Sequence, residues 1–334
     1  MEIMPDSKQK EIFSRDVSKG TYSVKKYFKD KDSVNKLNLY AADIKTDDSV
    51  LFLRIMNQFK TDLYNENVEL SILKSVYEWI KNQLDINYPD RPVSNYSYFM
   101  INKDIAEISR IITAFGTGIT NYKIIDVSPE KLASSLPKNM IQDILSDLEK
   151  INSDNKKKTR KESKGVIVRG DKEFYIIELD NNDKISYKTI EFNHGKNDIS
   201  FSLSEESDGT IRILDLIEIL LNKKKDMVYF IDEIDRCLHP QLTYKYIQSY
   251  LEYAENRNIQ LIVTTHESRL LDFDLLRRDE VWFVDKNAEG ESKIYSLEEY
   301  NSRFDQKIDK AYLEGRYGGV PIFNAIFPIK EDIE

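Results

Sequence analysis

The run Val228-Tyr229-Phe230-Ile231-Asp232-Glu233-Ile234-Asp235 constrains the fold of this chain more than any other stretch. Four consecutive large apolar residues read as a strand buried on both faces, the condition of strands in parallel sheets. Two adjacent carboxylates close it, at the end where parallel α/β sheets bind ligands. Adjacent acids repel, so a cation or a chemical task is needed to keep them together. About 30 residues on, Leu261-Ile262-Val263-Thr264-Thr265-His266 repeats the design, and places His266 at the same sheet edge. Helices at Thr210–Leu221 and Gln241–Asn256 alternate with strands at Met227–Ile231, Gln260–Thr264 and Glu280–Val284. That alternation predicts an α/β core with a mainly parallel sheet.

A third element precedes both strands. Leu203-Ser204-Glu205-Glu206-Ser207-Asp208-Gly209-Thr210 runs into a helix bearing Ile211, Leu214, Ile217 and Leu221. Ser207 and Gly209, with free N–H groups at a helix amino end, form an anion site. The same residues also read as a plain serine cap. Their position about 25 residues before Asp232 favours the anion site.

The first half is less regular. Phe13, Val17, Tyr22 and Tyr27 fit no clean period and read as short strands followed by helices. Leu51, Ile55, Phe59 and Leu63 repeat every fourth residue, and Val68–Leu84 reads as a second helix. A helix over Ile101–Phe115 ends in Gly116-Thr117-Gly118. Ser128-Pro129 starts another, carrying Leu132, Leu136, Ile141, Ile144 and Leu148. The polar stretch 152–164, with Lys156–Lys161, reads as a solvated loop or, more sharply, a phosphate-binding patch. Gly165–Arg169, Phe174–Leu179, Ser186–Phe192 and Ile199–Leu203 predict an antiparallel β meander.

Composition excludes several classes. The 334 residues carry 49 Lys+Arg against 58 Asp+Glu, a net charge of −9, so bulk charge does not draw the chain to nucleic acid. A lone cysteine, Cys237, forms no internal disulfide and fits a reducing cytoplasm. No window approaches ~18 uninterrupted apolar residues, so no membrane span is expected, and residues 1–6 lack signal-peptide order.

Taken together, Ser207 and Gly209, Asp232-Glu233-Ile234-Asp235 and His266 resemble the ABC-type ATPase core of SMC and RecF-like proteins, a P-loop NTPase-like fold. The order matches signature motif, Walker B, D-loop and H-loop. The ending Ala311-Tyr312-Leu313-Glu314-Gly315-Arg316-Tyr317-Gly318-Gly319-Val320-Pro321, with His239-Pro240, resembles a bacterial AAA-family branch found in anti-phage and abortive-infection systems. The resemblance covers about residues 200–325, with a looser match over 10–200. It implies ATP and Mg²⁺ as ligands. Asp232 would hold the metal, Glu233 would activate water, and His266 would sense the γ-phosphate. Ser207 and Gly209 would contact nucleotide held by a partner subunit, with Asp235 in the D-loop.

One departure is serious. A phosphate-cradling P-loop needs glycines followed by Lys and Ser/Thr, and no such run occurs in these residues. Gly116-Thr117-Gly118-Ile119 lacks the lysine, and His194-Gly195-Lys196-Asn197 lacks the upstream glycine and the hydroxyl. A truncated reading frame, a split protein or a degenerate ATPase would each account for this.

The expected organisation is a remainder of an amino-terminal lobe (1–50), a helical insertion with a polar loop (51–164), and the ATPase core (165–334). The expected protein is a cytoplasmic homodimer or larger homo-oligomer, with an effector protein as a further partner. The rivals are an inactive regulatory or dimerisation module, and a DNA clamp using Lys156–Lys161.

Overall fold

The computed structural model describes residues 11–320, apart from 25–26, 59, 67, 102–104, 156–164, 171, 180–183, 196–198, 223, 288 and 301–307. The Lys156–Lys161 stretch therefore lies outside the described residues. Contacts divide the chain into two units. One comprises Met1–Ile86, Asp226–Phe230 and Ile259–Leu261; the other comprises Asn87–Lys225, Ile231–Asn258 and Ile262–Glu334.

The first unit opens on a hairpin, β1 (Phe13–Asp16) and β2 (Thr21–Val24). Four helices follow: α1 (Lys31–Asp43), α2 (Phe52–Asn57), α3 (Thr61–Glu66) and α4 (Ser71–Asn82). Asp30 caps α1 by accepting from Ser33 N–H at 2.8 Å. Leu37, Ala41, Phe52, Met56, Leu70 and Leu73 form the core of this unit. The Arg15 guanidinium donates to the carbonyls of Ile44 and Val50, at 2.7 and 2.8 Å, and ties the hairpin to the turn after α1. The four-residue repeat from Leu51 is split between α2 and α3. The helix expected over Val68–Leu84 stops at Asn82, and β3 (Leu84–Asn87) follows it. The Gln83 carbonyl accepts from Val228 N–H at 2.7 Å, so sheet pairing claims this segment from the helix.

The second unit starts with α5 (Tyr98–Ile101), α6 (Ile105–Ala114), β4 (Ile119–Asp126), α7 (Pro129–Ser135) and α8 (Lys138–Asn155). The single helix expected from Ser128 is two, because Pro137 has no N–H to donate and drives Leu136 into an extended conformation. The meander forms as expected from β5 (Gly165–Arg169), β6 (Phe174–Leu179), β7 (Ile185–His194) and β8 (Ser200–Ser202), all antiparallel. Strand β4, which carries no clear sequence period, joins it along β7. Strand β6 is buried on both faces. Tyr175 and Ile177 pack with Leu132 and Leu148 of α7 and α8, whereas Phe174 meets the Tyr96 ring at 5.7 Å.

Next come α9 (Asp208–Leu221), β9 (Met227–Ile231), α10 (Pro240–Ala254) and β10 (Ile259–Val263). The sheet order is β10-β9-β3. Val228 N–H pairs with Gln83 O and Asp232 N–H with Asn87 O, so both strands advance together and the sheet is parallel. The chain is thus a mixed α/β structure, as expected. Burial differs from expectation in detail. Met227, Tyr229 and Ile231 are buried and Val228 and Phe230 only half-buried, while no β10 residue is fully buried and Ile262 is exposed. The reason is position: β9 has a strand on each side, and β10, among the described residues, has one.

The strand expected near Glu280–Val284 is also placed differently. It forms β11 (Trp282–Lys286), which pairs antiparallel with β12 (Ser292–Ser296) in a separate ribbon. Helix α11 (Ile308–Leu313) closes the described chain, with the Gly315–Gly319 turn behind it. The Tyr317 and Tyr312 rings stack on Phe283, both at 5.6 Å, and the Tyr295 hydroxyl donates to Tyr317 O at 2.6 Å. The Tyr317-Gly318-Gly319 run is therefore a packed corner. Gly318 has φ +70°, and a Cβ there would overlap the Tyr295 hydroxyl. Gly318→Ala is expected to destabilise the second unit by about 1–3 kcal/mol. Adding Tyr295→Phe should recover part of that loss in thermal melts. No recovery would show that backbone strain alone, and not the overlap, requires glycine.

Candidate functional site

The site grows from the carboxyl end of β9. Asp232 is the last residue in register, its N–H donating to Asn87 O at 2.9 Å. Glu233 leaves the strand with φ +49°, a left-handed conformation rare for a side chain of its size. Thr264, just past β10, spans the break. Its N–H donates to Ile231 O at 3.0 Å and its carbonyl accepts from Ile234 N–H at 3.1 Å. In a regular parallel ladder those two partners are two residues apart; here they are three apart, which marks a bulge. The Thr264 hydroxyl takes up the slack, accepting from Glu233 N–H at 2.9 Å and donating to Asp232 Oδ1. Asp232 is half-buried, whereas Glu233 and His266 are exposed.

Beyond the bulge the chain turns tightly. Arg236 N–H donates to Glu233 O at 3.1 Å, and the Arg236 guanidinium donates to Pro89 O. Asp235 Oδ1 is buried without a hydrogen-bond partner. His239 caps α10, its Nδ1 accepting from Gln241 N–H at 3.2 Å with Pro240 at the first turn, so His239-Pro240 is a helix start.

Helix α9 lies against this turn. Ser207 caps it, accepting from Thr210 N–H at 3.1 Å and meeting the Thr210 hydroxyl at 2.9 Å. Gly209 comes so close to the turn that a Cβ would stand 2.9 Å from Cys237 O. Arg212, one turn further on, donates to Glu233 O at 3.1 Å. Packing thus brings the Ser207–Gly209 segment and the Glu233–Cys237 turn together. His266 lies two residues beyond Thr264, so it and Asp232 follow the same ends of adjacent parallel strands.

Several residues at the site escaped sequence reasoning. Thr264 is one. Another group is buried: Arg169 of β5 donates to the Tyr96 hydroxyl at 3.0 Å and pairs with Asp215 of α9 at 3.4 Å, both charged side chains being under one-tenth exposed. Burial pushes the Asp215 carboxyl up to about 6, against the opposing pull of Arg169 and Arg212. Burial likewise holds the Arg212 guanidinium below its ordinary value. The signal was available, since Arg212 and Asp215 lie within the otherwise apolar run Ile211–Ile217. A third contact joins His194 Nε2 to the buried Glu206 Oε1 at 2.7 Å, next to Ser207. Gly118, whose Cβ would stand 3.1 Å from His194 Nδ1, and Gly195 belong to turns around this contact.

Among the described residues no three His, Cys, Asp or Glu side chains are grouped to hold a metal. No helix among them is long and apolar enough to cross a membrane. A family model described as "AAA domain, putative AbiEii toxin, Type IV TA system" matches residues 130–272, under half of the chain. No curated protein matches. The matched stretch runs from α7 past His266 and includes Ser207, Gly209, Asp232, Glu233 and Thr264. Over those residues the chain is similar to that AAA-domain family, and the mixed α/β architecture agrees with a P-loop NTPase-like fold.

Asp215 yields a pH prediction. Its folded-state pKa lies above the ordinary carboxyl value, so the fold takes up a proton and gains stability as pH falls through 6. Between pH 7.5 and 5 the parent should gain about 1 kcal/mol relative to Asp215→Asn. Paired thermal melts across that range test this, and a constant difference would show that Asp215 titrates normally.

Proposed function

We propose that this chain is an ABC-type ATPase subunit that binds and hydrolyses ATP at a dimer interface, as sensor or motor in a bacterial defence system. The observation that carries this reading is the carboxylate pair Asp232–Glu233 at the end of a central parallel strand, bridged by Thr264, inside the stretch matched by the AAA model. The words "toxin" and "Type IV TA system" in that model's description support the defence setting.

Each residue has a task in this reading. Asp232 holds Mg²⁺ through water. No third carboxylate or histidine is grouped beside it among the described residues, so Asp232 would hold Mg²⁺ with the rest of the shell open to water and phosphate oxygens. When bound, Mg²⁺ neutralises charge on the phosphates. Glu233, exposed at the bulge, orients the attacking water and accepts its proton. His266 would contact the γ-phosphate, Ser207 and Gly209 would contact nucleotide held by the second subunit, and Asp235 would lie in the D-loop. The phosphate cradle, for which these 334 residues contain no glycine-rich run followed by Lys and Ser/Thr, comes from outside them.

One pair of observations favours a non-catalytic dimerisation module. The Ser207 hydroxyl is engaged as a helix cap, and Gly209 is required by packing against Cys237, so both have structural reasons to be present. Neither reason applies to the exposed Glu233.

Two measurements test the reading. By calorimetry this chain alone should bind Mg²⁺–ATP weakly or not at all, and submicromolar affinity would place the phosphate contacts within it. Once the cradle is supplied, Glu233→Gln should retain nucleotide, lose roughly 10²-fold or more in turnover and accumulate as dimer. Asp232→Asn should instead weaken Mg²⁺ binding, because a formal charge is lost at the metal site. Hydrolysis by Glu233→Gln at the parent rate would remove Glu233 from the chemistry.

A further inference from the structure

Glu233 is held by its own backbone from two sides. Its N–H donates to the Thr264 hydroxyl and its carbonyl accepts from the Arg212 guanidinium, so neither group takes its regular place in the ladder with β10. Both contacts come from side chains on different elements, β10's end and α9. A residue at φ +49° forfeits the extended conformation, and the cost is offset only where the surroundings over-determine it. The same Thr264 hydroxyl donates to Asp232 Oδ1, so one oxygen atom touches both members of the carboxylate pair. The Thr264 backbone anchors that atom, because it is bonded to Ile231 and Ile234 on either side of the pair.

We propose that Thr264 is a positioning residue that separates the tasks of the two carboxylates. Its hydroxyl fixes Asp232 through one oxygen and leaves the other for a cation shell. It also keeps Glu233 in the left-handed conformation that breaks the strand's side-chain alternation. Arg212 holds the carbonyl of the same residue and links the bulge to the second turn of α9. The inference rests on the proposed hydrolytic reading for its use, while its physical content is independent of nucleotide.

The test is hydrogen exchange at single-residue resolution on the full chain, for the parent, Thr264→Val and Thr264→Ser. Valine keeps the β-branch and removes the hydroxyl; serine keeps the hydroxyl. In Thr264→Val the Glu233 amide should exchange about tenfold faster, through loss of one side-chain hydrogen bond. Thr264→Ser should retain the parent's protection. Amides in β9 and α9 report whether either variant has loosened the fold as a whole, and they should not change. Unaltered Glu233 protection in Thr264→Val, or equal loss in the serine variant, overturns the clamp. In a preparation that hydrolyses ATP, Thr264→Val should lower kcat with KM unchanged, and Thr264→Ser should restore it. Parent-level kcat in Thr264→Val overturns the positioning role. A parent protein without turnover once the phosphate cradle is supplied would count against the ATPase reading, and the exchange result would then decide the clamp alone.

Discussion

The arrangement around the site depends on the burial of α9. Ile211, Ile213, Leu214, Leu216, Ile217, Ile219 and Leu220 are buried, so the helix has core on nearly every side. Two of its buried side chains, Arg212 and Asp215, are charged, and a charge in such surroundings must find a partner. Asp215 finds Arg169, and Arg212 finds the Glu233 carbonyl. The requirement that buried charges be paired therefore fixes the helix to the meander on one side and to the carboxylate turn on another. The Tyr98 and Tyr246 hydroxyls add to this by donating to the Leu214 and Leu216 carbonyls, at 2.8 and 3.0 Å.

Two close approaches follow from that placement. Gly209 can have no side chain because the Cys237 carbonyl occupies the space, and Glu233 cannot remain extended because its ladder position is taken by the Thr264 bridge. Residues that would serve nucleotide chemistry thus also serve packing. Ser207 caps a helix, Gly209 permits a contact, and His239 starts α10. A glycine or serine in such a motif is weak evidence of catalysis by itself. An exposed carboxylate at such a turn is stronger evidence, because the Glu233 side chain fills no place in the core.

The elements of the second half were legible because each carries a local signal. The meander strands are separated by turn residues, α9 and α10 have caps, and β9 is an uninterrupted apolar run. Strands β3 and β4 were not legible. Leu84-Asp85-Ile86-Asn87 continues an amphipathic helix pattern, and only pairing with β9 makes it extended. Similarly, Ile119–Asp126 alternates poorly, and its conformation comes from its long register with β7. The single helix read from Ser128 failed for a local reason, the proline at 137.

The sequence by itself determined the parallel strand order of polar-ended β9 and β10, the helix between them and the position of Asp232, Glu233 and His266 at one edge. Those features follow from hydrophobic runs, caps and chain direction, which are local. Only the tertiary structure decided the left-handed turn at Glu233, the Thr264 bridge, the Arg169–Asp215 pair and the ribbon that takes β11 out of the parallel sheet. The first three join residues far apart in the chain, and the free energy that stabilises them comes from desolvated charges and hydrogen bonds that exist only once those residues meet, whereas the ribbon pairs two neighbouring strands and its Phe283 is covered by Tyr312 and Tyr317.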